Sequence, residues 1–296
     1  MSRLKIFCNR KEDFLKLPLI RAEIDLAAVA HNVRELRKMT NPNARLMAVV
    51  KANAYGHGVR EVARRALDNG AELLGVARID EAVCLRKADF KVPILVFGYT
   101  PPERAESLIR YDLTQAVHCL ENARELSSRA VASGKEIRVH IKLDTGMGRL
   151  GVVTAYAGNS SSGIVLSDSA FDEVTRIAEL PGLIPEGLMT HFATADSEDK
   201  TYARRQFRIF KDFKNELSSK NIRFQICHAA NSAALIDLPE THLDMVRPGI
   251  SIYGLYPSEK VDHSRILLKP AMSLKAKVIH LKKVPAEFSE IGRAHV

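Results

Sequence analysis

The chain has 296 residues, of which 46% are hydrophobic and 27% charged, with 44 Lys+Arg against 35 Asp+Glu for a net charge of +9. These are the proportions of a globular protein, and they exclude a disordered, collagen-like or coiled-coil chain. The length suits one large domain or two ordinary ones with ample apolar surface for a core.

Residues 1–17 are basic but lack the apolar stretch of a signal peptide, and read as an N-terminal extension. The first helix is LAAVAHNVRELRKM, with Leu26, Val29, Val33 and Leu36 on one face. Eight strand candidates follow: RLMAVVK (45–51), LLGVA (73–77), PILVFG (93–98), LTQAVHC (113–119), IRVHIKLD (137–144), GLMTHFA (187–193), RFQICHA (223–229) and LDMVRPGI (243–250). Amphipathic segments separate them: HGVREVARRALDNG, DEAVCLRKA, PERAESLIRYD, ENARELSSRAVASG, SAFDEVTRIAEL and TYARRQFRIFKDFKNELSSK. After the seventh strand only NSAALIDL is left to be helical. GNSSSGIVLS (158–167) has the composition of a surface loop.

Strands that alternate with crossover helices pair in parallel. Eight such units predict an α/β fold of the (β/α)8, or TIM, barrel type over residues 18–270. The open dinucleotide-binding sheet is the alternative, but the turn after the first strand reads KANAYGHG and lacks the G-x-G-x-x-G fingerprint. AMSLKAKVIHLKKV (271–284) alternates like an antiparallel strand and opens a further β-domain, 271–286, of which only this first strand is expected.

No run reaches the roughly 20 apolar residues of a membrane-spanning helix. The four cysteines, Cys8, Cys84, Cys119 and Cys227, form no Cys-x-x-Cys pair, which suits a reducing cytoplasm and argues against a metal knuckle. Lysine and arginine sit beside acids in REVARRALD and ARRQFRIFKDFK with no interleaved aromatics, the pattern of a solvated surface rather than of a nucleic-acid interface.

Reacting groups of barrel enzymes sit at the C-terminal ends of the strands. Lys51 closes the first strand behind the apolar run MAVV. Desolvation there would lower its pKa and free its amine, as a Schiff-base lysine requires; the alternative is a lysine snorkelling from the rim. Tyr55 follows in a Gly-rich turn, Arg149 lies just after the fifth strand, and His191 ends the sixth. Asn231 and Ser232 follow the seventh, and Arg247, Gly249 and Ile250 close the eighth. Each has an ordinary alternative, with His191 a core histidine, Arg149 a loop cation and Asn231-Ser232 a simple N-cap. Together they offer a lysine for an aldehyde, a phosphate cradle after strands 7 and 8, and two arginines at one mouth, a combination that suits pyridoxal phosphate.

AVVKANAYGHG closely resembles the cofactor-attachment motif of alanine racemases, and KLDTGMGRLG, THFATAD, HAANSAA and MVRPGISIYG resemble further blocks of that family in the same order. The resemblance runs over residues 18–284. It implies that Lys51 holds pyridoxal 5'-phosphate and is the acid/base on the D face of alanine. It implies that Tyr55, Ser232, Gly249 and Ile250, with Asn231 beside them, hold the phosphate. His191 is expected to pack against the cofactor, Arg247 to face the pyridine nitrogen, and Arg149 to lie near the phenolic oxygen and the substrate carboxylate. Lys142 matches a lysine that is often carbamylated in the family. The implied activity is interconversion of L- and D-alanine by a cytoplasmic homodimer, supplying D-alanine for peptidoglycan.

The sequence departs from the family at its end. The family's second base is a tyrosine from the partner's C-terminal β-domain, and here the chain follows the family to VIHLKKVPA and then reads EFSEIGRAHV. Glu287-Phe288 is also what an EcoRI cloning site encodes, so residues 287–296 are expected to be vector-derived, a genuine short variant being the alternative. The expectation is a barrel that binds the cofactor and racemises poorly or not at all, with 271–284 an unpaired strand. The competing readings are a serine or broad-specificity racemase, a non-catalytic cofactor-binding barrel and, on charge alone, a nucleic-acid binder.

Overall fold

The structure is a computed structural model that describes residues 18–157 and 164–286. The N-terminal extension, residues 158–163 of the Ser/Gly-rich patch and the tail 287–296 lie outside the described residues. The chain opens with β1 (Ile20–Ile24), followed by α1 (Leu26–Met39). Asp25 caps α1, its Oδ1 accepting from Ala27 N at 2.8 Å and Ala28 N at 3.1 Å. Then come β2 (Arg45–Val49), α2 (Val59–Leu67), β3 (Leu73–Val76), α3 (Ile79–Lys87), β4 (Ile94–Val96), α4 (Ala105–Arg110), β5 (Thr114–Val117), α5 (Leu120–Ala132) and β6 (Ile137–Asp144). A short excursion, β7 (Val152–Val153), β8 (Ala155–Ala157) and β9 (Ile164–Leu166), leads to α6 (Asp168–Ala178). The barrel resumes with β10 (Leu183–Met189), α7 (Thr201–Ser219), β11 (Ile226–His228), α8 (Ser232–Asp237) and β12 (Met245–Val246), and the last strand is β13 (Met272–Ala276).

Strands β2, β3, β4, β5, β6, β10 and β11 pair in parallel in that order, and β12 pairs with β2. Backbone bonds from Asp244 N to Cys227 O (3.1 Å) and from Arg247 N to Ala230 O (3.0 Å) join β12 to β11 and close an eight-stranded α/β barrel. Alternate side chains point to opposite faces of a strand. Leu46, Ala48, Leu74, Val76, Ile94, Val96, Ile141 and Leu143 belong to the layer between strands and helices. Met47, Leu73, Leu95, Met189, Ile226 and Met245 form a separate apolar plug inside the barrel. Gly75 leaves room for that plug, since a Cβ there would lie 2.7 Å from the Phe97 ring and 2.9 Å from Met47 Sδ.

Three expectations need correction. The sixth barrel strand is Leu183–Met189 rather than 187–193, because the chain leaves the sheet after Met189. Ile164–Leu166 is not loop but a strand paired antiparallel with β8. Residues 272–276 are not unpaired: they pair antiparallel with β1, Ile20 opposite Ala276 and Ile24 opposite Met272, and residues 277–286 have no regular structure. The ladder covers the backbone of this ribbon, while Ile20, Leu274, Val278, Ile279 and Leu281 remain exposed.

Candidate active site

In β2, Met47 points into the barrel, and the same parity carries Val49 and then Lys51 to the inside of its mouth. Ala52, Asn53, Ala54 and Tyr55 then have φ between 52° and 55°, a full left-handed turn built without glycine. Such a conformation costs about 1–2 kcal/mol per residue, so the surroundings must impose it. Ala54 N donates to Val50 O at 2.9 Å and Gly56 N to Ala52 O at 3.0 Å. Asn53 Oδ1 accepts from Val59 N at 2.9 Å. Glu81 Oε1 accepts from Ala52 N at 2.5 Å, and its other oxygen holds Ala77 N and Arg78 N. The turn brings the Tyr55 ring 5.7 Å from Lys51 Nζ. Burial, and then the charge of Arg149, push the Lys51 amine below its usual pKa.

In β6, Ile137, Val139, Ile141 and Leu143 face the helices. The intervening positions carry His140, Lys142 and Asp144 into the barrel, all three buried. Lys142 is held down to about 8 by burial and by the neighbouring Arg149 and Arg247 charges. Asp144 organises the turn that follows. Its Oδ1 accepts from Gly146 N, Met147 N and Gly148 N at 2.8–3.1 Å, and its Oδ2 from Arg149 N at 3.0 Å. Burial pulls this carboxyl up, but the four N–H groups outweigh it and hold the pKa below the ordinary value. Arg149 is thereby fixed at its backbone, with its side chain exposed at the rim.

Arg247 is buried beneath the mouth. Its Nη1 donates to His228 Nδ1 at 2.7 Å, and its Nη2 to Thr190 O at 2.8 Å and Ala229 O at 3.0 Å, with His191 Nδ1 at 3.3 Å. Burial lowers its pKa to about 9, which leaves it charged at neutral pH. His191 lies two residues past β10 and is driven well below the ordinary imidazole pKa by burial and then by Arg247. On the facing side, Asn231 caps α8 by accepting from Ala234 N at 3.0 Å. Ser232 Oγ accepts from Gly249 N at 2.8 Å. A Cβ at Gly249 would lie 2.8 Å from Tyr55 Oη, so glycine is what lets the backbone come this close to the tyrosine.

All ten residues singled out from the sequence, Lys51, Tyr55, Lys142, Arg149, His191, Asn231, Ser232, Arg247, Gly249 and Ile250, line one cavity of about 550 Å³ at the C-terminal ends of the strands. Its lining carries four cations, Lys51, Lys142, Arg149 and Arg247, against one carboxylate, Asp196. It therefore attracts an anion, and phosphate and carboxylate are the anions its chemistry suits. Phe97 and Met189 supply the apolar floor. Sequence reasoning missed His140, Asp144 and His228. The signal for the first two was present in IRVHIKLD, where polar residues take every inward position of a strand otherwise apolar.

Comparison with known proteins agrees with this geometry. The family model of the alanine racemase N-terminal domain matches residues 24–257. An alanine racemase of Desulfosudis oleivorans is 52% identical over 268 residues, which cover 90% of this chain and 68% of that protein. The solved alanine racemase of Clostridium difficile 630 in complex with cycloserine superposes with a TM-score of 0.83 at 35% identity, over 90% of this chain and 70% of that one. The alanine racemase of Bacillus anthracis with bound L-Ala-P gives a TM-score of 0.80 at 34% identity, over 90% and 66%. The chain belongs to the alanine racemase family, whose members depend on pyridoxal phosphate.

Proposed function

From membership of this family we propose that the chain binds pyridoxal phosphate and moves the α-proton of alanine, so interconverting L- and D-alanine. The observation that carries the reading is the placement of a half-buried amine, Lys51, in a cationic cavity with a glycine-opened backbone cradle at Ser232 and Gly249. Lys51 would hold the cofactor's aldehyde covalently. Ser232, Gly249, Ile250 and Tyr55, with Asn231 beside them, would hold its phosphate. Arg247 and His191 would face its ring, and Arg149 the substrate carboxylate. When bound, pyridoxal phosphate withdraws electrons from the amino acid's α-carbon and makes the α-proton removable at neutral pH.

Lys51 Nζ is then the base and the acid on one face. Its lowered pKa raises the fraction of free amine at neutral pH, which is what proton removal requires. Arg247, charged and committed to several acceptors, orients the ring without passing it a proton. Lys142, buried with a pKa near 8, has an enlarged free-amine fraction at neutral pH; that amine would add to carbon dioxide with loss of a proton to solvent, and the carbamate would give Arg149 an anionic partner. The physiological reading that goes with this chemistry is D-alanine supply for peptidoglycan by a cytoplasmic homodimer, with alanine as substrate and no nucleic-acid partner.

For the opposite face, Tyr55 is taken by the phosphate in this reading, and the two tyrosines that follow Ile250 are committed elsewhere. Tyr253 is buried and donates to Val49 O at 3.0 Å, and Tyr256 donates to Ile266 O at 2.7 Å. We therefore expect this chain, loaded with pyridoxal phosphate in D2O, to exchange the α-proton of D-alanine faster than that of L-alanine by NMR. Equal exchange of both would place a second base within these 296 residues. Cofactor capture with no exchange of either would replace the racemase reading with that of a non-catalytic binding barrel.

A further inference from the structure

We propose that Glu186, at the foot of the barrel, fixes the tautomers of His140 and His228 and through them holds the buried Arg247 guanidinium in one orientation. The argument begins with a charge that lacks a neighbour. Among the described residues no carboxylate forms an ion pair with Arg247, and its shift comes from burial alone. A buried cation without an anion is costly. Contacts lead from it to an anion through two histidines. His228 Nδ1 lies 2.7 Å from Arg247 Nη1, His228 Nε2 lies 2.7 Å from His140 Nδ1, and His140 Nε2 lies 3.2 Å from Glu186 Oε2.

Proton accounting gives this chain a direction. A guanidinium only donates, so His228 Nδ1 accepts and the ring's proton is on Nε2. That N–H donates to His140 Nδ1, which puts the His140 proton on Nε2. That N–H in turn donates to the Glu186 carboxylate, an acceptor only. Every atom is satisfied with both rings neutral, the cation at one end and the anion at the other. Reversing either ring would set two lone pairs or two N–H groups against each other. Neutral imidazoles also suit the environment, since both rings are fully enclosed and burial pushes both pKa values down.

The β10 sequence is shaped for this contact. The register between β10 and β6 slips at Glu186: Pro185 opposes Val139 and Gly187 opposes His140, leaving Glu186 as the extra residue of a bulge. A bulge re-aims a side chain, and here it sets the carboxylate at His140. Gly187 then clears the space, because a Cβ would lie 2.5 Å from His140 Cγ and Nδ1. Hydrogen bonding from His140, and after it the charges of Arg138 and Arg45, keep Glu186 ionised. Glu186 touches neither the cavity nor Arg247, so it is a positioning residue.

The proposal rests on the reading above only for what Arg247 faces; the tautomers are tested in the full chain without cofactor as well as with it. In long-range ¹H–¹⁵N correlation spectra at neutral pH, both His140 and His228 are expected as neutral rings carrying the proton on Nε2. A protonated ring, or an Nδ1–H form at either position, overturns the relay even if cofactor binding and α-proton exchange are as proposed. Glu186→Leu should shift the nitrogen resonances of His140 and, one step on, of His228, and change the visible spectrum of bound pyridoxal phosphate. Glu186→Gln, whose amide oxygen still accepts, should restore both tautomers. Unmoved His228 resonances in a folded Glu186→Leu protein would also overturn it.

Discussion

The layer outside the barrel strands and the space inside them are built from alternate residues of the same strands, yet they follow different rules. Outside, Leu46, Leu74, Val76, Ile94, Ile141 and Leu143 pack against helices, and each contributes by volume and shape. Inside, a thin apolar plug supports a set of polar groups in which each atom has a particular partner: Asp144 with four N–H groups, Arg247 with His228, His228 with His140. The difference teaches that one strand serves stability on its odd positions and chemistry on its even ones, as β6 does from Ile137 to Asp144. Lys51 and Lys142 are on the chemical face, where burial makes them less stable as cations and more useful as amines.

The largest effect that would test this division is a cavity in the outer layer. Leu74 is fully buried there, and Leu74→Ala should cost about 2–5 kcal/mol, read as a lower urea midpoint. Cofactor capture by the fraction still folded should be unchanged; a loss of capture in folded protein would break the division. A smaller effect belongs to the inner face. His118 is buried, its Nε2 donating to Phe97 O at 2.9 Å, and burial lowers its pKa to about 4. The folded value lies below the unfolded one, so the neutral ring's contribution is complete above pH ~6.5 and is lost as pH falls towards about 4. Over that window it amounts to about 3 kcal/mol. His118→Gln should flatten the dependence of the urea midpoint on pH across it, and an unaltered slope would remove His118 from the account.

Much of the barrel was legible because its signal is local. Helix and strand periods alternate along the chain, and the parity of MAVVK carries Lys51 to the mouth. What was not legible depends on partners far away in sequence. The ribbon of β1 and β13 joins residues about 250 positions apart, and no local pattern announces that register. The left-handed turn at 52–55 is written in Ala-Asn-Ala-Tyr, of which only Asn favours that conformation, and it is held by Glu81 from outside and by the Asn53 side chain reaching forward to Val59 N. Strand β10 was placed four residues late because LMTHFA alternates like a strand, while the backbone makes its last bond to β11 from Thr190 N to His228 O and then leaves the sheet. Of the site, the residues that face the cavity could be chosen by type and position, except Lys142, which the resemblance supplied. Of those around them, His140 and Asp144 were marked only by the polar parity of IRVHIKLD, and His228 by nothing local, because their partners are brought to them by the fold.

Asp144 gives the finest test, because it holds residues of the cavity wall without itself lining the cavity. An ionised carboxylate accepts on both oxygens, and here Oδ1 serves three amides while Oδ2 serves Arg149 N. In Asp144→Asn only one oxygen remains. If it keeps Gly146, Met147 and Gly148, the new NH2 group is set against Arg149 N–H, donor facing donor; if it flips, three amides lose their acceptor. The first arrangement sacrifices fewer bonds and will prevail, at a cost of about 1–3 kcal/mol for the lost charge-assisted bond. The loss is confined to one turn, so amide exchange should quicken at Arg149 first and at residues 146–148 less, with Leu74 unmoved. Alanine should then bind the cofactor-loaded chain more weakly, since the guanidinium expected to meet its carboxylate is no longer tied at its backbone. Quickened exchange spread evenly through β6 would mean instead that Asp144 supports the strand, and the boundary between the stabilising and the chemical faces would have to be drawn one residue earlier.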